Sequence, residues 1–206
     1  MSHTLVIKGH PLTAETSFSL KALDQFLSTY EAAHPSDTVT ILDVFADNVP
    51  EIDADLAAAF NALASGTEFA SLSAEQQAKV ARFGELTDQF LAADKVVITN
   101  PLWNLGVPTR LKAWVDTINV AGRTFKYTAE GPIGLAGGKK VLHIQANGGV
   151  YNGNDASSQY LNSILNFIGI DDITSVYIEG HAYDPERADD ILADALAKVD
   201  SIAKEF

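Results

Sequence analysis

Three short stretches carry side chains suited to holding a phosphorylated ring. The first is GHPLTAETSFSLKAL, where Thr16, Ser17 and Ser19 stand at the start of a segment of helical period. The first turn of a helix has unpaired backbone N–H groups and the positive end of the helix dipole, and this combination receives phosphate. Hydroxyls there add donors, although the same residues serve equally as plain N-caps. No G-x-G-x-x-G and no Walker motif occurs, so a monophosphate suits the loop better than the diphosphate of a dinucleotide.

The second stretch, NPLWNLGVPTRLKAW, sets Trp103 and Leu105 just past an apolar run, with Asn104 between them. A flat ring can pack on the two apolar groups, and the amide offers both a donor and an acceptor to a heteroaromatic edge. Ordinary core burial of Trp103 is the alternative. The third, QANGGVYNGND, has Asn147, Gly148 and Gly149 after another apolar run. Glycines there either let backbone N–H groups approach a ligand or simply form a loop. Elsewhere, His143 falls within a strand-like run and reads as a core histidine, and His181 in EGHAYDPE reads as a loop residue. His3 and His34 have no companions at metal-ligand spacing, so no metal site is expected. Asp184 before Pro185 reads as a helix cap.

The elements that must position these stretches follow from periodicity. Leu5–Ile7, Val39–Val44, Val96–Thr99, Val141–Ile144 and Ser175–Ile178 are short runs rich in β-branched residues, as expected of strands buried on both faces. Between them lie helical stripes such as Leu20/Leu23/Leu27/Tyr30, Val80/Phe83/Leu86/Phe90 and Leu111/Trp114/Val115/Ile118. Another, Tyr160/Leu161/Ile164/Leu165/Ile168, is closed by Gly169, and a last runs from Ile191 to Ile202. The long Asn48–Thr87 segment holds an extra short helix near Asp53–Leu63. The expected fold is a doubly wound α/β domain over residues 1–206, with a five-stranded parallel sheet of order 2-1-3-4-5 and helices on both faces. In such sheets ligands bind beyond the C-terminal strand ends where the winding reverses, which is where the three stretches fall.

Composition narrows the classes. The absence of cysteine excludes disulfides, thiol catalysis and cysteine-ligated metal. A net charge of −13 argues against nucleic-acid partners. No apolar run reaches the length of a membrane span, and MSHTLVIKGH reads as a first strand rather than a signal peptide, so the cytoplasm is the expected compartment. Within this acidic chain, Arg110, Lys112, Arg123, Lys126, Lys139 and Lys140 face only Asp116 and Glu130 over residues 110–140. That excess is either a solvated face or a patch attracting an anionic small molecule such as a pyridine dinucleotide.

Taken together, the motifs resemble the flavodoxin-like FMN-dependent NAD(P)H azoreductase and quinone reductase family. Pro101-Leu102-Trp103-Asn104-Leu105 is similar to the family's P-M-Y-N-F flavin loop. Ala121–Pro132 is similar to A-G-x-T-F-x-Y-T-x-x-G-P, and Asn147-Gly148-Gly149-Val150-Tyr151 to R-G-G-x-Y. Gly138-Lys139-Lys140, Tyr160-Leu161 and Phe167–Ile170 match further runs. The resemblance implies bound FMN, NADH or NADPH as co-substrate, and hydride transfer through FMN to quinones or azo compounds by ping-pong kinetics. It implies a homodimer with FMN near the interface and no catalytic side chain of the protein. By the same resemblance Ser17, Phe18 and Ser19 hold the phosphate, and Leu102–Leu105 cradle the ribityl chain and ring. Asn147, Gly148 and Gly149, with Tyr151 following, border the pyrimidine side. Phe125 and Tyr127 wall the substrate pocket, with Phe60 as a further wall.

The chain departs from the pattern in its Leu-Trp-Asn-Leu loop, in Asn147 for a frequent Arg, and in Gly9-His10 where serines are usual. His10 either donates to the phosphate or is exposed. The competing readings are a flavodoxin-like electron carrier without its own NAD(P)H oxidation, and a phosphorelay receiver. Asn100-Pro101 argues against the receiver, which needs an aspartate after the third strand.

Overall fold

The computed structural model describes residues 1–206. Five parallel strands form the sheet: β1 (His3–Lys8), β2 (Thr38–Asp43), β3 (Lys95–Pro101), β6 (Lys140–Asn147) and β7 (Asp172–Glu179). Their spatial order is β2-β1-β3-β6-β7, the 2-1-3-4-5 order expected from the sequence. The three central strands are almost continuously buried, because helices cover both faces. On one face, α1 (Phe18–Ala33) and α6 (Ala188–Glu205) pack Leu20, Leu23, Phe26, Tyr30 and Val199 against Val6, Val97 and Ile144. On the other, α3 (Ala74–Ala92), α4 (Thr109–Thr117) and α5 (Ala156–Phe167) bury Leu86, Phe90, Leu111, Trp114 and Leu165 against Ile7, Ile98 and Val141.

The helix starts use the capping chemistry their sequences offer. Ser17 caps α1, Asp53 caps α2 (Ala54–Ala64), and Asp155 caps α5. Ser73 and Gln76 form a reciprocal capping box at α3. The extra short helix of the long crossover is α2. Asp184 makes no capping hydrogen bond; it precedes a single 3-10 turn, Pro185–Arg187, so the expected cap there is corrected. The basic cluster of residues 110–140 also disperses. Lys139 is buried and donates to the carbonyls of Leu91 (2.9 Å) and Ala93 (2.5 Å). Lys112 pairs with Asp116, Arg110 with Glu51, and Arg123 with Asp88.

An antiparallel hairpin, β4 (Phe125–Thr128) and β5 (Gly131–Gly134), is an element that the apolar pattern did not disclose. Apart from the buried Phe125 its residues are exposed or half-buried, with exposed pairs at the middle of each strand, and it docks through backbone. A Cβ on Gly134 would lie 2.2 Å from the Gly169 nitrogen, at the closing turn of α5, where Gly169 itself adopts φ +98°. Gly134→Ala is therefore expected to destabilise the fold by roughly 1–3 kcal/mol or more through forced separation of the two backbones. Gly84→Ala, in the interior of α3 with nothing within 4 Å of the added atom, is expected to be neutral or stabilising. Urea unfolding of the two variants side by side checks the contrast.

Candidate functional site

The C-terminal ends of β1, β3 and β6 open on a hollow of about 380 Å³. Its walls are His10 and Thr16–Ser19 after β1, Pro101–Trp103 from the end of β3 onward, Ala146–Gly148 from the end of β6 onward, and His181 after β7. Of the residues singled out in the sequence, His10, Ser17, Phe18, Ser19, Pro101, Leu102, Trp103, Asn147 and Gly148 line this space. Asn104, Leu105, Gly149 and Tyr151 continue the same loops beyond it. Phe60, Phe125 and Tyr127 do not reach it within one chain. Phe60 packs on Phe83 between α2 and α3, Phe125 is buried in the core against Phe167, and Tyr127 stands exposed on the hairpin.

At the α1 end, the Ser17 hydroxyl lies 3.1 Å from the Ser19 hydroxyl and accepts, at 3.4 Å, from the Leu20 N–H. The N–H groups of Phe18 and Ser19 have no acceptor within the chain. Free donors, hydroxyls and the positive end of a 16-residue helix thus converge on one point. His10 is buried, which removes the alternative that it is exposed. Its Nδ1 accepts the Leu12 N–H at 3.0 Å, so the neutral ring carries its proton on Nε2 and remains a donor. Burial, followed by the nearby Lys8 charge, lowers its pKa and keeps it neutral.

The second loop makes a tight reversal. Trp103 N–H donates to Gly106 O at 3.2 Å and Gly106 N–H returns to Trp103 O at 2.9 Å, around Asn104 (φ 49°) and Leu105 (φ 62°). This is the geometry of a type I′ turn, which asparagine tolerates. A leucine in the left-handed region costs roughly 1–2 kcal/mol, strain of the kind retained at functional sites. The turn holds Trp103 43% and Leu105 57% exposed, so Trp103 is not an ordinary core residue. Its ring meets the His10 ring edge-on at 5.5 Å, joining the first loop to the second.

Behind the rim lies a buried polar chain built by strand register. β3 pairs with β6 so that Asn100 faces Gln145, and β6 pairs with β7 so that Asn147 faces Glu179. Glu179 accepts from Asn147 Nδ2 at 2.9 Å, which turns Asn147 Oδ1 towards Gln145 Nε2 (3.3 Å). Gln145 Oε1 then accepts from Asn100 Nδ2 at 3.1 Å, and Asn100 Oδ1 meets His143 Nε2 at 2.9 Å. Only an Nε2–H can serve that last oxygen, so the carboxylate at one end dictates the tautomer at the other. Asp155 braces the middle by accepting from Gln145 Nε2 (3.1 Å) and from Ser158 N–H and Oγ–H. Burial pushes the Asp155 pKa up, but the bonds from Ser158 and Gln145 outweigh it and hold the group ionised. His143 is a core histidine, its pKa pushed down to about 4 by burial against the smaller opposing pull of Asp155.

Glu179 also fixes the third loop. Its other oxygen accepts the N–H groups of Tyr151 (3.0 Å) and Asn152 (2.8 Å). Gly180 N–H donates to the carbonyls of Asn147 and Gly149, and Ala182 N–H to that of Gly148. The loop's carbonyls are thereby turned inward, while the N–H groups of Gly148 and Gly149 make no hydrogen bond within the chain. A Cβ on Gly148 would lie 2.7 Å from that of Ala182, so glycine is required for this close approach. His181 is the lining residue that sequence reasoning passed over. The signal was available, because the loop after the last strand opens on the same rim as the other three.

The comparisons with known proteins agree with this geometry. A family model described by its flavodoxin-like fold matches residues 2–203. The chain is 48% identical over 206 residues to the FMN-dependent NADH:quinone oxidoreductase of Streptococcus suis, covering all of both chains. It is 41% identical over 211 residues to FMN-dependent NADH:quinone oxidoreductase 2 of Bacillus subtilis, again over both full lengths. Among solved structures, an azoreductase from Bacillus anthracis superposes with a TM-score of 0.92 at 36% identity over all of both chains. An FMN-dependent NADH-azoreductase from the same species, solved in complex with FMN, gives 0.92 at 34% identity over 100% of this chain and 99% of that one.

Two outcomes test the buried chain. Glu179→Gln replaces one accepting oxygen with a donor, which must face either Asn147 Nδ2–H or the two loop N–H groups. A loss of roughly 1–3 kcal/mol in urea unfolding is expected, with faster amide exchange at Tyr151 and Asn152. His143 binds its proton more weakly folded than unfolded, so its contribution to stability is complete above pH 6.5 and is lost as pH falls from there to about 4. A urea midpoint that declines over that window, and declines less in His143→Gln, is the expected result.

Proposed function

The chain belongs to the flavodoxin-like family that contains the FMN-dependent NADH:quinone oxidoreductases and azoreductases, and on that premise we propose that it binds FMN in this hollow, oxidises NADH and reduces quinones and azo compounds. The observation that carries the reading is the gathering of free donors around one open space: the N–H groups of Phe18 and Ser19 at one end and that of Gly148 at the other, with the unpaired Gly149 N–H next along the same loop. The donor set fits a flavin mononucleotide. Helix-start N–H groups, Ser17, Ser19 and His10 suit a phosphate, and the exposed Trp103 with Leu102, Asn104 and Leu105 suits the ribityl chain and ring. Asn147, Gly148 and Gly149 suit the polar pyrimidine edge.

FMN, when bound, supplies a ring that NADH can reduce and a quinone or azo compound can reoxidise. The protein's part is placement and electrostatics. Loop strain at Asn104 and Leu105 holds Trp103 outward, so one face of the hollow stays open for nicotinamide and acceptor in turn. Sharing that face predicts ping-pong kinetics. The unpaired Gly148 and Gly149 N–H groups would stabilise negative charge at the pyrimidine edge.

The assembly proposed is a homodimer with the site near the interface. Trp103, Leu105, Tyr127, Ile133 and Leu135 are all more than 40% exposed apolar residues, of the kind a second copy covers. In that assembly Phe60 and Tyr127 of one copy become candidates for walls of the other's substrate pocket, and Phe125 supports Tyr127 from within the core (ring centroids 5.4 Å apart). The net charge of −13 favours a second reading, a carrier that docks on protein partners and does not oxidise NADH.

Purified protein reconstituted with FMN is expected to be yellow and to oxidise NADH when a quinone or an azo dye is supplied, with parallel double-reciprocal plots. Ser17→Ala with Ser19→Ala is expected to weaken FMN binding roughly tenfold or more by fluorescence titration. Failure to bind FMN would overturn the reading, and FMN binding without NADH oxidation would establish the carrier instead.

A further inference from the structure

We infer that His181 forms the far side of the phosphate end of the hollow and takes up a proton when the phosphate of FMN binds, whereas His10 serves as a donor without titrating; this rests on the FMN reading above. Both rings line the space that holds Thr16, Ser17 and Ser19. They differ in how their nitrogens are committed. The His10 Nδ1 lone pair is occupied by the Leu12 N–H at 3.0 Å, so the neutral ring presents Nε2–H. The buried Nδ1 of His181 has no hydrogen-bond partner, and the nearby Ile178 carbonyl can only receive a ring N–H, so no donor occupies a lone pair of this ring as the Leu12 N–H does in His10. Its ring packs against Phe18 at a tilt of 50°, centroids 4.7 Å apart, which places it beside the first residue of α1 and the free N–H groups there.

The charges around the two rings are few. His10 feels Lys8, which is itself paired to Asp43 at 2.6 Å. Against the Phe18 ring on which His181 rests, the charged group from α1 is Lys21, its Nζ 5.3 Å from the ring centroid. The third loop contributes only the neutral Asn147 and Gly148 to the hollow. On the strand and loop that carry His181, Glu179 is engaged by Asn147, Tyr151 and Asn152, and Asp184 is exposed. Burial lowers the His181 pKa, with the Ile178 carbonyl opposing the shift. The empty site therefore holds a neutral ring at pH 7, and a dianionic phosphate beside it supplies the missing countercharge. Proton uptake follows as the two charges compensate.

The test is FMN binding to the flavin-free full chain, followed by fluorescence between pH 6.5 and 8, with riboflavin as the ligand that lacks phosphate. The phosphate is mostly dianionic over this range (second pKa about 6), so its own titration adds little slope. FMN affinity is expected to fall as pH rises, by about threefold or more across the range and at most tenfold per pH unit, while riboflavin affinity stays flat. His181→Gln should flatten the FMN profile, and His10→Gln should weaken FMN at every pH without changing the slope. Calorimetry in two buffers of different ionisation enthalpy should count proton uptake in the wild type and none in His181→Gln. A wild-type FMN profile as flat as that of riboflavin, or one unchanged in His181→Gln, overturns the proton uptake while leaving the FMN site standing. Absence of FMN binding at every pH overturns both.

Discussion

Two carboxylates beneath the rim of the sheet, the half-buried Glu179 and the buried Asp155, each collect several N–H and O–H donors, and the arrangement of the site follows from those bonds. A carboxylate accepts and never donates, so each protein group that bonds to it presents an N–H or O–H. Glu179 faces Asn147 because β6 and β7 are in parallel register, and the Asn147 amide is thereby oriented. Its oxygen orients Gln145, which orients Asn100, which sets the proton of His143. None of these amides can flip without setting donor against donor somewhere along the chain. The consequence at the surface is that the loops after β3 and β6 leave their strands at fixed positions. A packed apolar edge would leave them freer, because hydrophobic contact has no direction.

That rigidity lets the loops hold conformations that are unfavourable locally. Leu105 at φ 62° is retained because the Trp103–Gly106 reversal is anchored to the sheet, where Leu102 N–H donates to Ala146 O at 3.0 Å. The Gly148 and Gly149 N–H groups stay unpaired while the carbonyls of the same loop accept from Gly180 and Ala182. Unpaired donors and strained leucines are costs that a folded chain normally avoids. Their gathering around one hollow, at the end of the sheet where the winding reverses, is what distinguishes this rim from the opposite one. There Lys95, Tyr30 and Asp37 satisfy one another, and bonds from the Ser2 N–H and Tyr30 hydroxyl hold the Asp37 pKa down at about 2.

The sheet and its order were legible because buried parallel strands are unbroken apolar runs, and Leu5–Ile7 or Val141–Ile144 admit little else. The rim loops were legible by position, since topology places any loop after β1, β3 or β6 at the same edge. The hairpin Phe125–Gly134 was not, because it docks by backbone against Gly169 and leaves its side chains largely outside, so no apolar stripe marks it. His181 was passed over for a related reason: its significance lies in the Phe18 ring across the hollow, more than 160 positions away in the chain. For the basic cluster the sequence left a solvated face and a ligand patch open, and the structure favours the former: Lys139 turns inward to the carbonyls of Leu91 and Ala93, and Arg110, Lys112 and Arg123 pair with carboxylates.

The dispersal of those lysines sharpens the electrostatic question of how a chain of net charge −13 receives an anionic ligand. Exposed charges more than a screening length of about 8 Å away count for little at physiological salt, so the overall charge does not decide the matter. Neutral donors do. Backbone N–H groups at the start of α1, the phosphate position in the proposed reading, carry fixed partial charge, need no counterion of their own, and would cost no reorganisation on binding. A lysine in the same place would require a partner in the empty state or would attract other anions. Hydroxyls, amides and neutral histidines avoid both consequences. A site built from dipoles remains compatible with an acidic surface, and the acidic residues are then free to serve solubility while the rim alone governs binding.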